Sequence, residues 1–169
     1  MVVQAVAAIL DRDLRALARE VEAYPDDGAV WLAPEGAPNS AGTLVLHLAG
    51  NVQHFLGAHL AGTGFVRDRP REFAARGLSR SDLLREIAAA RSVLRSAVDR
   101  ASERALDADW PEIVGGARVV TGEYLIHLVS HFAYHLGQVD YHRRLVTGDS
   151  RGVDAMRPGE LGTARPVAE

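Results

Sequence analysis

The sequence predicts an all-α protein, a four-helix bundle with long crossover loops. Three observations predict it. Apolar residues recur at spacings of three and four in four separate segments. Stretches rich in Pro, Gly and Asp interrupt those segments. Capping residues stand where the periodic pattern starts and stops. At 169 residues, 47% of them apolar, the chain is long enough to bury one sizeable core.

The elements follow in order. Leu10, Leu14, Leu17, Val21 and Tyr24 alternate by four and three, the inner stripe of a first helix that Pro25 closes. Residues 25–40 read as a loop, with Trp31 and Leu32 anchoring it to the core. Asn39 or Ser40 caps a second helix whose apolar face is Leu44, Leu48, Val52 and Phe55, ending near Gly62 or Gly64. A polar loop covers 65–77. Ser79 and Asp82 form a capping box with Asp in place of Glu. Leu83, Ile87, Ala90, Leu94 and Val98 then mark one long third helix. Residues 105–121 form a crossover loop with a short extended piece at 118–120. Thr121 caps a fourth helix, which runs to Thr147 and stops at Gly148. The bundle domain is thus expected at 1–148, and 149–169 as a loosely ordered tail.

Composition narrows the chemistry. The net charge is -3, so there is no bulk electrostatic drive toward nucleic acid or anionic membrane. All 19 basic residues are arginine, which excludes lysine-based catalysis. The chain has no cysteine, which excludes disulfides, thiolate metal sites and cysteine nucleophiles. The first residues read as an amphipathic helix rather than a signal peptide, and a cytoplasmic location is the expectation.

The informative feature is histidine placement. His127, His131 and His135 are four apart, so on a helix they form a column on one face, and Gln138 and His142 continue it. The column borders the stripe Leu125, Leu128, Phe132 and Val139. On the second helix His47 flanks the apolar stripe, with Asn51 and His54 further along the same flank. Neutral imidazole is the commonest transition-metal ligand. Spacing makes 127/131 and 131/135 equally good ligand pairs and does not choose between them.

A resemblance chooses. The segment His131-Phe132-Ala133-Tyr134-His135-Leu136-Gly137-Gln138 resembles the signature of the DinB-like (YfiT-like) superfamily of metal-binding four-helix bundles. Leu46-His47-Leu48-Ala49-Gly50-Asn51 resembles the same family's second helix, in the manner of a bacterial subgroup, as does the 67–73 segment. The resemblance implies a site of His47, His131 and His135 holding zinc or nickel. It implies, too, a low-molecular-weight thiol as a possible cofactor, a small-molecule substrate, and a homodimer. The expected activity is that of a metal-dependent, thiol-dependent S-transferase or a hydrolase. The alternative is a non-enzymatic, stress-related bundle with a structural metal. Asn51, His54, His127, Tyr134 and Gln138 are expected around the site as outer partners or pocket walls. Arg67, Arg69 and Arg71 read as a solvated loop or as an anion-binding group. No carboxylate is evident as a general base: Glu123 starts the fourth helix and Asp140 faces away from the column.

Overall fold

A computed structural model describes residues 2–101 and 106–167. Its helices are α1 (Val2–Glu22), α2 (Ala41–Val52), α3 (Arg69–Ala74), α4 (Arg80–Ser92), α5 (Leu94–Ala101) and α6 (Thr121–Thr147). A π-helical segment, Gln53–Ala61, extends α2. Among the described residues the only extended pairings are isolated bridges, Asp109 to Val120 and Val114 to Ala117. The architecture is the expected all-α bundle.

The long connections have a topological reason. α1 packs against α6 and α4, and α2 packs against α6 and α4. The successive helices α1 and α2 therefore lie on a diagonal, as do α4 and α6. Residues 23–40 and the segment before α6 must cross an end of the bundle rather than turn to an adjacent helix. The core between the helices includes Leu10, Leu14, Leu17, Leu48, Leu83, Ile87, Leu125 and Phe132, each almost fully buried. Burying a Leu or Phe side chain contributes roughly 1.5–3 kcal/mol, so this apolar stripe dominates the fold.

Local signals act as expected at several ends. The Ser40 hydroxyl accepts from Thr43 N–H and starts α2. Ser79 and Asp82 make the reciprocal capping box of α4. Gly62 and Gly148, at φ +65° and +69°, end their helices in the left-handed region that glycine tolerates best.

Four expectations are corrected. The 65–77 loop contains α3, started by the Asp68 carboxylate, which accepts from Arg71 N–H, with Pro70 in the first turn. The long third helix is broken at Val93 into α4 and α5; Val93 packs where a side chain on Gly57 would stand. Thr121 is the first helical residue rather than the cap; its hydroxyl donates to Ala108 O and ties the preceding loop to α6. Leu32 is exposed, whereas Trp31 donates from Nε1 to Leu78 O. Residue 105 of the expected crossover lies outside the described residues.

The tail lies along α1. Arg19 donates to Val153 O and Asp154 O, and Arg15 and Arg19 pair with Glu160. No described helix is long and apolar enough to cross a membrane.

Candidate metal centre

Adjacent helices α2 and α6 bring three imidazoles together. Donor nitrogens of His47, His131 and His135 all lie within 4.8 Å of one another. The Nε2 atoms of His47 and His131 are 3.2 Å apart. His47 sits edge-on to both other rings, at centroid distances of 5.1 and 5.3 Å. The spacing of four on α6 supplies one pair; the packing of α2 against α6 supplies the third member.

Hydrogen bonds fix which nitrogen of His47 and of His135 points inward. His47 Nδ1 is 3.1 Å from Glu72 Oε2. A carboxylate only accepts, so Nδ1 carries the proton and Nε2 presents its lone pair. Arg67 grips the same carboxylate with two hydrogen bonds, of 2.7 and 2.8 Å. The 3.2 Å approach of Arg67 to His47 Nδ1 is the meeting of two donors on one oxygen. Burial opposes ionisation of Glu72, but the hydrogen bonds from His47 and Arg67 outweigh it and hold its pKa below the usual glutamate range. On α6, His135 Nδ1 donates to Gln138 Oε1 at 2.6 Å, which again leaves Nε2 free. Carboxylate or carbonyl acceptors behind ligating histidines are the usual support of a metal site.

The two rings on α6 are held neutral as well. Burial and the neighbouring His135 and His47 push the His131 pKa down to about 4. Burial also lowers that of His135, against the raising effect of Gln138. His131 Nδ1 is buried without a hydrogen-bond partner. Three imidazoles with converging nitrogens fit a borderline divalent ion better than magnesium or calcium, which prefer oxygen.

Gly50 is part of this arrangement. A Cβ there would collide with the Glu72 carboxylate. Glycine lets α3 seat Glu72 against α2, one turn from His47.

The remaining expected residues divide. His127 is exposed and one turn up the column, its ring stacked on Tyr124 and 6.1 Å from that of His131. Asn51 and His127 line a cavity of about 650 Å³ that opens on His47 and His131. Tyr134 is 66% exposed and flanks His135 without lining that cavity. His54 turns to Glu112 instead of the three-histidine cluster. His142, the continuation of the column, is buried away from the cluster: its Nε2 donates to Leu32 O and its Nδ1 accepts from Tyr24. Asp140 faces Arg143 and Arg144, away from the column as expected. Arg67 is neither solvated nor free for an anion, being committed to Glu72. Arg69 lies over the Phe73 ring and lines the cavity.

The sequence reading missed Glu72 and Glu112. Asp68 followed by Pro70 was an available signal for a short helix, and hence for α3. That α3 would deliver Glu72 to His47 depends on tertiary packing over Gly50.

No curated protein and no solved structure matches the chain. A family model describing the DinB superfamily matches residues 9–139, more than half of the chain, and the chain belongs to that superfamily.

Proposed function

We propose that this protein is a divalent-metal-dependent enzyme, with His47, His131 and His135 holding zinc or nickel and the adjoining cavity taking a small-molecule substrate. One observation carries the reading: three imidazoles converge beside an open cavity, and no fourth histidine or carboxylate joins the set among the described residues. A three-ligand set with an open position is the pattern of catalytic rather than structural zinc sites. The ion, when bound, supplies Lewis acidity that makes a water or thiol more acidic.

The chain's own residues supply the rest. Glu72 keeps the proton of His47 on Nδ1, and Gln138 does the same for His135. Arg67 stiffens Glu72 through its paired hydrogen bonds. Arg69 places a positive charge at the cavity wall, suited to an anionic group on the substrate. The chain has no cysteine, so a thiol nucleophile would come from a low-molecular-weight thiol. Transfer to an electrophile by such a thiol is the reaction class we favour. The test is metal analysis of purified wild type and His131→Ala, together with an assay of thiol consumption against an electrophilic acceptor. The expected result is activity in wild type only, and one metal equivalent fewer in the variant than in wild type. Equal near-zero metal in both proteins overturns the metal site. Metal without thiol turnover overturns the transferase reading.

A further inference from the structure

A second convergence of ligating atoms stands outside the three-histidine cluster. Donor atoms of His54, His59 and Glu112 lie within 4.8 Å of one another. The Nε2 atoms of His54 and His59 are 2.8 and 2.6 Å from the same oxygen, Glu112 Oε2. Their rings meet at 4.7 Å, close to perpendicular.

The backbone is unusual at this point. On an α-helix, residues five apart differ by about 140° around the axis and face different ways. In Gln53–Ala61 the backbone bonds shift to the π pattern, as in Gly62 N–H to Gly57 O. The wider turn lays His54 and His59 on one side. Such segments are rare and concentrate at functional sites. The segment also buries Phe55, Leu56, Leu60 and Ala61, where it packs against α5. On its other side the wider turn pairs the two histidines.

Glu112 is delivered by a braced loop. Trp110, two residues earlier, is 3% exposed and packs against Phe55, His59 and Tyr124. Trp110 N–H donates to Val119 O across the loop. Glu112 also lines the cavity that reaches the three-histidine cluster. His54 Nδ1 is buried with no hydrogen-bond partner.

We infer that His54, His59 and Glu112 form a second site for a divalent transition-metal ion, on the wall of the same cavity. Two imidazoles and one carboxylate on one side of an ion leave its other positions open, an arrangement suited to first-row transition metals. The ion takes the place of the two Nε2 protons that now face Glu112, and each neutral ring then carries its proton on Nδ1. The competing account is a hydrogen-bonded tether that pins the crossover loop to the π-helical segment without any ion.

The experiment counts metal in a background that lacks the first site. His131→Ala protein is stripped with chelator, titrated with zinc, and read by equilibrium dialysis with elemental analysis. Cobalt(II) absorption serves as a second readout. The inference expects one equivalent of zinc in His131→Ala, and none when Glu112→Gln or His59→Ala is added. Wild type should bind two equivalents and Glu112→Gln alone should bind one. Circular dichroism confirms that each protein counted is folded; two independent second substitutions guard against one that fails to fold. If folded His131→Ala binds no zinc, or binds one equivalent that neither second substitution removes, the inference is overturned. Failure of the three-histidine site reads differently: wild type and His131→Ala then bind the same single equivalent, and Glu112→Gln removes it.

Discussion

His131 and His142 stand on the same helix, about three turns apart, and do opposite things. Protein groups satisfy both nitrogens of His142, through Tyr24 at 2.7 Å and Leu32 O at 2.8 Å. His131 has one buried nitrogen without a partner, and its other nitrogen faces His47 Nε2. Beside His142, Arg143 is 1% exposed and bonds Glu20, Asp140 and the Arg151 carbonyl. The two ends of α6 thus separate stability from ligand capacity. Burial alone does not mark a functional histidine; the informative sign is a ring nitrogen turned toward other ring nitrogens, as His131 Nε2 is toward His47 Nε2.

The largest effect on that comparison should come from Arg143→Ala. It strands Glu20, which is fully buried, and breaking such a pair costs about 3–5 kcal/mol. Denaturant unfolding should show this loss, while the folded fraction keeps its zinc affinity. A fall in zinc affinity matching that of a ligand mutant would erase the contrast between the two ends.

His131→Ala should do the reverse. Zinc affinity of the three-histidine site should fall by more than the roughly 10–100-fold typical of losing an outer partner. The metal-free stability should change far less than in Arg143→Ala. Calorimetry with and without chelator checks both.

Glu72→Gln and Gly50→Ala sharpen the same point from α3. Each disturbs the acceptor behind His47, and zinc affinity should drop about 10–100-fold. An affinity unchanged in both would mean that Glu72 holds the loop rather than the ligand.

The smallest effect concerns pH. Burial lowers the His142 pKa, against the raising influence of Leu32 O. The unfolded chain therefore takes up this proton first as pH drops below about 6.5. Stability from this group is full above that pH and falls as the solution is acidified toward the folded pKa. Urea midpoints of metal-free protein between pH 7 and 5 should decline, with a shallower slope in His142→Gln. An identical slope in the two proteins would remove His142 from the account.

Much of the site was legible in the sequence because helix geometry is local. A spacing of four places His131 and His135 on one face wherever the segment folds as a helix. Gln138, three residues beyond His135, is fixed by the same geometry and accepts its Nδ1 proton. Glu72, Glu112 and the pairing of His54 with His59 were not legible. The first two sit on segments that read as polar connections, and their partners are distant in sequence. The third depends on a backbone register that the apolar pattern of α2 does not signal.

The sequence by itself determined the bundle, its caps at Ser79 and Gly148, a second helix starting at Asn39 or Ser40 and ending near Gly62 or Gly64, and the histidine column on α6. Those follow from apolar period, capping chemistry and helical phase, all properties of neighbouring residues. Tertiary structure alone decided what each histidine faces. It placed His142 against Tyr24 and Leu32, turned His54 toward Glu112, and set Glu72 behind His47 over the bare Cα of Gly50. The reason is physical: a nitrogen is free or satisfied according to what the rest of the fold brings within 3 Å or so of it, and no local pattern carries that information.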